Sequence, residues 1–441
     1  MFRGKWCAAA LAAAVFPAYA QDAATREEIK QLKQRVEELD KRVQDAENAA
    51  TQAQAQASSR AQSESAMNPA VSVILNGIYA NLKQNPDTFR INGFVPTMGD
   101  VAPPPRGISL GESELAFAAN VDHLFRGTLV ASISPDDSSV DVEEAYIQTL
   151  ALSHGFTVKA GRFFSAVGYQ NQIHAHAWDF TDAPLVMKAF LGGQLHEDAV
   201  QVKWVAPTDL YFDVGTELGR GLAFPAAPAS KDGASSVNVF THLGGDVGSS
   251  IAWQTGLSYY ETKPTDRSYD DPLNGITNSF TGTSRLWALS GVLKWAPNGN
   301  NTVNNLKLQA EYFQRKEDGD LTFDPTGAAL TDGYASKQSG WYAQAVYQFM
   351  PAWRVGYRFD QLDSGTATIG LIDSGAVTAA DLPILAEYKP KRHTAMVDWS
   401  PSEFSRVRLQ FARDYSRMGE PDNQVFLQYI VSLGAHGAHT F

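Results

Sequence analysis

The chain has a single cysteine among 441 residues, no apolar run as long as a transmembrane helix, and fewer basic than acidic side chains. The cysteine, Cys7, lies within the first twenty residues, which are predicted to be removed, so the mature chain is expected to form no disulfide. A membrane-spanning helix needs about 20 consecutive apolar residues, which predicts that no helix crosses a membrane. The formal net charge of -12 argues against nucleic acid as a partner, because such proteins present basic surfaces.

The first twenty residues have the pattern of a cleaved secretory signal. Arg3 and Lys5 precede a short apolar run, and Ala18-Tyr19-Ala20 supplies the small residues that signal peptidase requires. We therefore predict that residues 1–20 are removed on export. The chain is rich in aromatic residues (11%) and glycine, yet its mean hydropathy is negative. A membrane β-barrel combines these properties, because only alternate residues of its strands face lipid.

Residues 26–58 carry a heptad repeat that predicts a short parallel coiled coil. Apolar residues recur at alternating spacings of three and four, at Ile29, Leu32, Val36, Leu39, Val43, Ala46, Ala50, Ala53 and Ala57. β-Branched residues alternating with leucine favour two strands, whereas residues 35–40 resemble a trimer-directing pattern. We expect a trimer, and a dimer or a lone solvated helix are the alternatives. Residues 59–87 are predicted to form a linker.

Residues 88–441 repeat runs of about ten residues in which apolar and polar side chains alternate, the length and period of a tilted membrane strand. Sixteen such runs centre near residues 93, 117, 130, 145, 159, 201, 213, 242, 256, 290, 309, 344, 357, 396, 409 and 429. An even number is typical of a closed antiparallel barrel. The predicted fold class is therefore all-β, a transmembrane antiparallel β-barrel of about 16 strands preceded by a short α-helical coiled coil.

Short and long connections alternate between these runs. The short turns fall at residues 122–124, 153–155, 206–209, 248–249, 297–300, 350–352 and 400–402. Short turns on one side and long loops on the other are typical of the periplasmic and extracellular faces of an outer-membrane barrel. This parity predicts that both chain termini, and with them the coiled coil, lie in the periplasm.

Aromatic and charged side chains separate onto opposite faces of the predicted strands. In the run centred near residue 357, Tyr357 lies on the face opposite Arg354 and Arg358. We expect the aromatic face to meet lipid and the charged face to meet the lumen. The last run continues in register to Phe441, and a terminal phenylalanine resembles the signal that the barrel-assembly machinery recognises.

Inward side chains and inserted loops decide the function of a barrel this wide, because sixteen strands leave room for water. Basic residues outnumber acidic ones among the inward candidates, which predicts a preference for anions; salt bridges across the lumen are the alternative. The predicted pore-lining residues are Arg126, Lys159, Lys203, Lys294, Lys307, Arg354, Arg358, Arg406 and Arg408.

The third long connection, residues 165–195, has the position and length of a constriction loop. It carries the constriction-loop candidates His174, His176, Asp179 and Asp182. Imidazole nitrogens and carboxylate oxygens are ligands for zinc and similar ions. Two histidines fall short of a four-ligand motif, so we predict no metal site and keep His174 and His176 only as candidates.

The sequence gives no sign of catalysis. No serine, histidine and acid are predicted to come together, and Gly192-Gly193 and Gly244-Gly245 do not open a helix as a phosphate-binding loop does. We therefore predict that the protein is not an enzyme and has no cofactor.

The plan of signal, coiled coil and barrel resembles the phosphate-selective porin superfamily of Gram-negative bacteria. Three segments are similar to a narrower group of proteobacterial outer-membrane proteins, some labelled zinc-regulated TonB-dependent receptors. They are MNPAVSVILNGIYAN at 67–81, VEEAYIQTLALSHGFTVKAGRFFSAVGYQNQIHAHAWDF at 142–180, and SLGAHGAHTF at 432–441. The resemblance implies a trimeric sixteen-stranded channel and assigns no binding residue.

Together these features predict a porin-like channel for diffusion of small hydrophilic solutes, in the outer membrane. The expected partners are outer-membrane lipid, two further copies of the chain, the barrel-assembly machinery and the solutes. One alternative is an uptake receptor for a metal such as zinc or for a metal complex. The other is a structural envelope tether that uses the barrel only as an anchor.

Overall fold

The computed structural model describes Gln34 and residues 69–434, the latter apart from 98, 100, 134–138 and 227–231. The predicted signal peptide, the predicted coiled coil apart from Gln34, and the terminal Phe441 lie outside the described residues. Residues 1–66 and 67–441 are separate units. The fold below is that of the second unit.

The described residues form nineteen strands in one closed antiparallel sheet. The strands are β1 (Ala70–Leu82), β2 (Gly107–Leu110), β3 (Ser113–Asn120), β4 (Phe125–Ile133), β5 (Val140–Thr149), β6 (Phe156–Phe164), β7 (His196–Val205), β8 (Tyr211–Gly219), β9 (Ser236–Val247), β10 (Ile251–Thr262), β11 (Arg267–Asp270), β12 (Thr277–Trp295), β13 (Asn305–Phe323), β14 (Leu330–Met350), β15 (Trp353–Asp363), β16 (Thr368–Ile369), β17 (Lys391–Ser402), β18 (Ser405–Asp414) and β19 (Asp422–Gly434). The sheet closes where β1 pairs with β19.

Three of the nineteen strands are continuations of a neighbour in the same barrel position. Strands β2 and β3 both pair with β1, strands β10 and β11 both pair with β12, and strands β15 and β16 both pair with β14. The barrel therefore has sixteen strand positions, which confirms the predicted number and the predicted fold class.

The first strand is not where the alternation pattern placed it. Strand β1 spans Ala70–Leu82, so the predicted linker 59–87 and the barrel start at residue 88 are wrong for this segment. Both faces of β1 are mostly apolar: Ile74 points inward at 2% exposure and Leu75 points outward at 47%. When the inward face is also apolar, apolar and polar residues no longer alternate along the strand, so the pattern used to find strands is lost. The run near residue 93 is instead a lumen segment, in which Phe94 is buried.

The outward and inward faces agree with the sequence pattern elsewhere. Trp341 and Tyr357 are exposed on the outside of the barrel, whereas Arg358 is 1% exposed on the inside. Six of the seven predicted short turns connect consecutive barrel strands at one end, and the seventh, predicted at 400–402, lies at residues 403–404 of the same end. Pairing of Ser72 with Gly434 brings the first and last strands to that same end. The outer face thus carries the apolar band that a membrane barrel turns to lipid.

Among the described residues of 69–434, helical structure is confined to connections. The α-helices are α1 (Leu185–Leu191) and α2 (Gly370–Asp373), and 3-10 turns span Pro86–Thr88, Ser153–Gly155, Gln170–Gln172, Ala175–Ala177, Pro297–Gly299 and Pro383–Leu385. Helix α1 ends where Gly192 adopts a left-handed conformation at φ 69°, and the N–H of Gly193 bonds back to the carbonyl of Met187. No helix among the described residues is both long and apolar enough to cross a membrane.

The barrel interior contains an apolar cluster around α1. Phe190 is fully buried and packs edge-on against Phe94 with ring centroids 5.6 Å apart, and parallel to Phe313 of the wall at 6.2 Å. Val186 and Leu362 belong to the same cluster. Residues 165–195, which we call the inserted loop, therefore occupy the lumen together with part of the first long connection.

Candidate functional site

A cavity of about 940 Å³ lies inside the barrel, on the side formed by β1 and β3–β10. Its lining includes Ala118 and Asp246, which are close to the short turns. The inserted loop contributes Tyr169 and His174 from the other side. The cavity is therefore a vestibule that reaches from the short-turn end of the barrel to the inserted loop.

Three of the predicted pore-lining residues line this vestibule. Arg126, Lys159 and Lys203 are carried by β4, β6 and β7. The strand register aligns them, because Arg126 and Lys159 both pair with Gln148 of β5 and Lys203 pairs with Thr157 of β6. We call Arg126, Lys159 and Lys203 the basic row.

Two more predicted pore-lining residues bind Asp179 of the inserted loop. Lys307 Nζ is 2.9 Å from Asp179 Oδ2, and Arg354 Nη1 is 3.0 Å from Asp179 Oδ1. Arg354 also pairs with Asp398 of the wall at 2.6 Å. Burial alone would raise the pKa of Asp179, but Lys307 and Arg354 outweigh burial and hold it well below the usual range. Lys294 is the register partner of Lys307 on β12.

Asp182 is the second anchor of the inserted loop. Its carboxylate pairs with Arg358 at 3.3 Å, with Lys188 at 3.3 Å, and with Arg392. These three cations overcome the effect of burial and hold the pKa of Asp182 well below its usual range. Arg392 was missing from the predicted set, although its inward parity on β17 was a usable signal.

Arg406 and Arg408 hold the loop through its backbone. Both donate hydrogen bonds to the carbonyl oxygen of Trp178, at 3.2 and 2.8 Å. With Lys307, Arg354 and Arg358, they make five predicted pore-lining residues that contact the inserted loop. Salt bridging, the alternative left open by the sequence, therefore describes much of this wall.

Wall carboxylates also accept hydrogen bonds from the loop backbone. Glu311 accepts from the N–H groups of Tyr169 and Gln170, at 2.8 and 2.9 Å, and from the hydroxyl of Tyr342 at 2.6 Å. Glu217 accepts from the N–H of Ala166 at 3.0 Å in the same manner. The contacts with the loop backbone could not be predicted from the sequence, because each joins residues more than fifty positions apart.

His174 and His176 lie together at the vestibule wall, apart from Asp179 and Asp182. Their rings stack with centroids 5.7 Å apart. Three barrel glutamates contact them, a fourth, Glu112, lies beside two of these glutamates, and we call the whole group the histidine corner. Its members are Glu112, Glu114, Glu143, Glu144, His174 and His176.

A β-bulge supplies two of these glutamates. The register of β5 against β4 jumps from Glu144 to Val142, which leaves Glu143 as the extra residue. Consecutive strand residues normally point to opposite faces, but here Glu143 and Glu144 both reach His174, at 3.3 and 3.0 Å. Burial alone would lower the pKa of His174, but the neighbouring carboxylates of Glu114, Glu143 and Glu144 raise it well above its ordinary value.

Comparison with known proteins identifies a relative by sequence and several β-barrels by structure. No family profile matches the chain. An uncharacterised protein of Aquifex aeolicus is 31% identical over 354 residues, which are 76% of this chain and 70% of that protein.

Solved structures with a similar fold are outer-membrane proteins. The outer-membrane channel DcaP of Acinetobacter baumannii aligns with a TM-score of 0.50 at 12% identity, over 83% of this chain and 97% of that chain. OprB of Pseudomonas putida aligns with a TM-score of 0.50 at 14% identity, over 83% and 94%. OmpT of Vibrio cholerae, in its trimer form, aligns with a TM-score of 0.50 at 11% identity, over 83% and 99%. At these identities the likeness is one of fold.

Proposed function

This chain belongs to the same family as the uncharacterised Aquifex aeolicus protein, and we propose that it is an outer-membrane channel for passive diffusion of small hydrophilic solutes. The observation that supports this most is the vestibule, which carries the basic row, inside a closed barrel with an apolar outer face. Closure satisfies every strand edge, and the outer band can be solvated by lipid. The vestibule offers hydrated solutes a path that lipid does not.

The inserted loop defines how selective such a channel is. Asp179 and Asp182 fasten the loop to one wall, and the vestibule lies along the other. We propose that solutes pass between the loop and the strands β1 and β3–β10. No catalytic activity is expected, and a homotrimer is the proposed assembly.

Conductance of purified protein in planar bilayers tests this function directly. We expect stable stepwise openings, because a closed barrel with a polar lumen passes hydrated ions. A folded barrel that stays silent would contradict the channel and favour the uptake receptor or the envelope tether. Saturable binding of a metal complex that depends on an energised partner would identify the receptor. Loss of envelope integrity on deleting residues 21–66 would identify the tether.

The anion preference is proposed for the basic row alone. Five other predicted cations contact the inserted loop, so they add less to the field that a solute meets. Replacing Arg126, Lys159 and Lys203 with glutamine is expected to lower the anion-to-cation permeability ratio about twofold or more. The reversal potential in a salt gradient measures this ratio. The matched control replaces exposed Lys316, Lys337 and Arg413 with glutamine. An equal shift in the control would refute the role of the basic row.

A further inference from the structure

The histidine corner brings metal-ligating atoms of the inserted loop and of the barrel wall to one place. Ligand atoms of Glu114, His174 and His176 lie within 4.8 Å of one another. In a tetrahedral zinc site, with ligand distances near 2.0–2.2 Å, the ligand atoms are roughly 3.3 Å apart. Small side-chain rotations would therefore bring all three ligands onto one ion.

The orientation of His174 is the second observation. Its Nε2 is 3.0 Å from Glu144 Oε2, so Nε2 carries the hydrogen and donates to that carboxylate. Its buried Nδ1 makes no hydrogen bond of good geometry, although Glu114 and Glu143 oxygens lie 3.4 and 3.3 Å away. A nitrogen lone pair facing two carboxylates requires a cation between them. A proton or a metal ion can fill that place.

The charge of the corner also favours a cation. The corner contains four glutamates and two histidines, so negative charge remains even if both imidazoles are protonated. Glu114 is 3% exposed and His176 is 10% exposed, yet both line the vestibule. An ion can therefore reach the histidine corner from the vestibule. The buried ligand side chains are already held beside one another there.

We propose that Glu114, His174 and His176 bind a divalent first-row transition-metal ion, with Glu144 as a positioning residue for His174. Two imidazole nitrogens and one carboxylate oxygen suit zinc-like ions, whereas magnesium and calcium prefer oxygen ligands throughout. A carboxylate that holds the second nitrogen of a ligating histidine is the usual outer contact of such sites. A fourth position is left for water or Glu143.

The bound ion fastens the inserted loop to β3. Asp179 and Asp182 anchor the loop to β13, β15 and β17, and the histidine corner lies on the opposite wall beside the vestibule. Occupancy of the site therefore regulates how freely the loop moves over the solute path. This consequence rests on the proposed channel function, but metal binding itself does not.

Metal binding to the purified full-length protein in detergent tests the proposal. Equilibrium dialysis with zinc is expected to give one ion per chain, bound far more tightly than magnesium or calcium. The double variant H174A/H176A should lose about tenfold or more of this affinity. E144Q should lose about 10–100-fold while the d–d absorption bands of bound cobalt(II) keep their tetrahedral form. H154A, which removes a histidine of an exposed turn, is the matched control.

Two results would overturn the site. Equal zinc affinity in the wild type and in H174A/H176A would mean that the histidines are not ligands. Equal affinity for zinc and calcium would mean that the histidine corner is an acidic cluster around a protonated imidazole and not a site for transition-metal ions. E114Q provides a conservative variant if the double variant folds poorly, as judged by heat-modifiable gel mobility.

Zinc should also reduce conductance fluctuations in the wild type but not in H174A/H176A. A silent channel that still binds zinc would refute the channel and leave the site intact.

Discussion

Replacing Asp182 with alanine is expected to release the inserted loop and to raise single-channel conductance several-fold. The substitution leaves Arg358, Arg392 and Lys188 buried without their shared carboxylate. Removing one partner of a buried ion pair costs about 3–5 kcal/mol, which corresponds to a population shift of about two to four powers of ten. The loop should then spend most of its time away from the wall. Conductance steps and protease cleavage within residues 165–195 measure the release.

Asp209→Ala is the matched control, because Asp209 is exposed in a short turn. Mild acid should not imitate D182A. The pKa of Asp182 lies below its ordinary value of 3.8, so its ion pairs are complete above that pH and are lost only as the pH falls through the lower folded value. An unchanged conductance and cleavage rate in D182A would show that other contacts hold the loop.

Replacing Glu311 with alanine is expected to free the first turn of the inserted loop while the helix α1 stays docked. The change leaves the N–H groups of Tyr169 and Gln170 and the hydroxyl of Tyr342 without their acceptor. Each hydrogen bond to a charged group contributes about 1.5–3 kcal/mol, so the local loss should exceed about 3 kcal/mol. Hydrogen exchange at residues 166–173 should accelerate, and the channel should become noisier in bilayers.

The conservative variant E311Q separates charge from shape. Its amide oxygen can still accept from the loop but carries no charge, so its effect should be intermediate. Glu403→Ala, in an exposed turn, controls for loss of a carboxylate elsewhere. If E311A exchanged as slowly as the wild type at residues 166–173, Glu311 would not be a support of the loop.

Alternation of apolar and polar side chains was enough to predict most of the barrel. It located fifteen of the sixteen strand positions, six of the seven short turns, and the outward face that carries Trp341 and Tyr357. This works because a strand's side-chain period is local and lipid tolerates only apolar neighbours over its whole height. It failed at β1, where Ile74 faces a packed interior and Leu75 faces outward.

The alternation of side chains along each strand predicted which residues of the candidate site face inward. It did not predict which residues they contact. Strand parity predicted that Arg354 and Arg358 face inward, but the sequence could not show that they would pair with Asp179 and Asp182. Glu114 shares the inward parity of Ala116. That parity indicates a carboxylate facing the lumen, but it does not indicate the contacts with His174 and His176. The inserted loop meets the wall through residues far apart in the chain, and no local period encodes such pairs.

The sequence by itself determined the closed barrel and which side chains turn inward, because these follow from a two-residue period repeated along the chain. Only the tertiary structure decided which cations stay in the vestibule and which bind the loop, because that depends on where residues 165–195 dock. The tertiary structure also decided the β-bulge that lets both Glu143 and Glu144 contact His174. The bulge arises from how two strands pair, and one strand's pattern cannot record its neighbour's register.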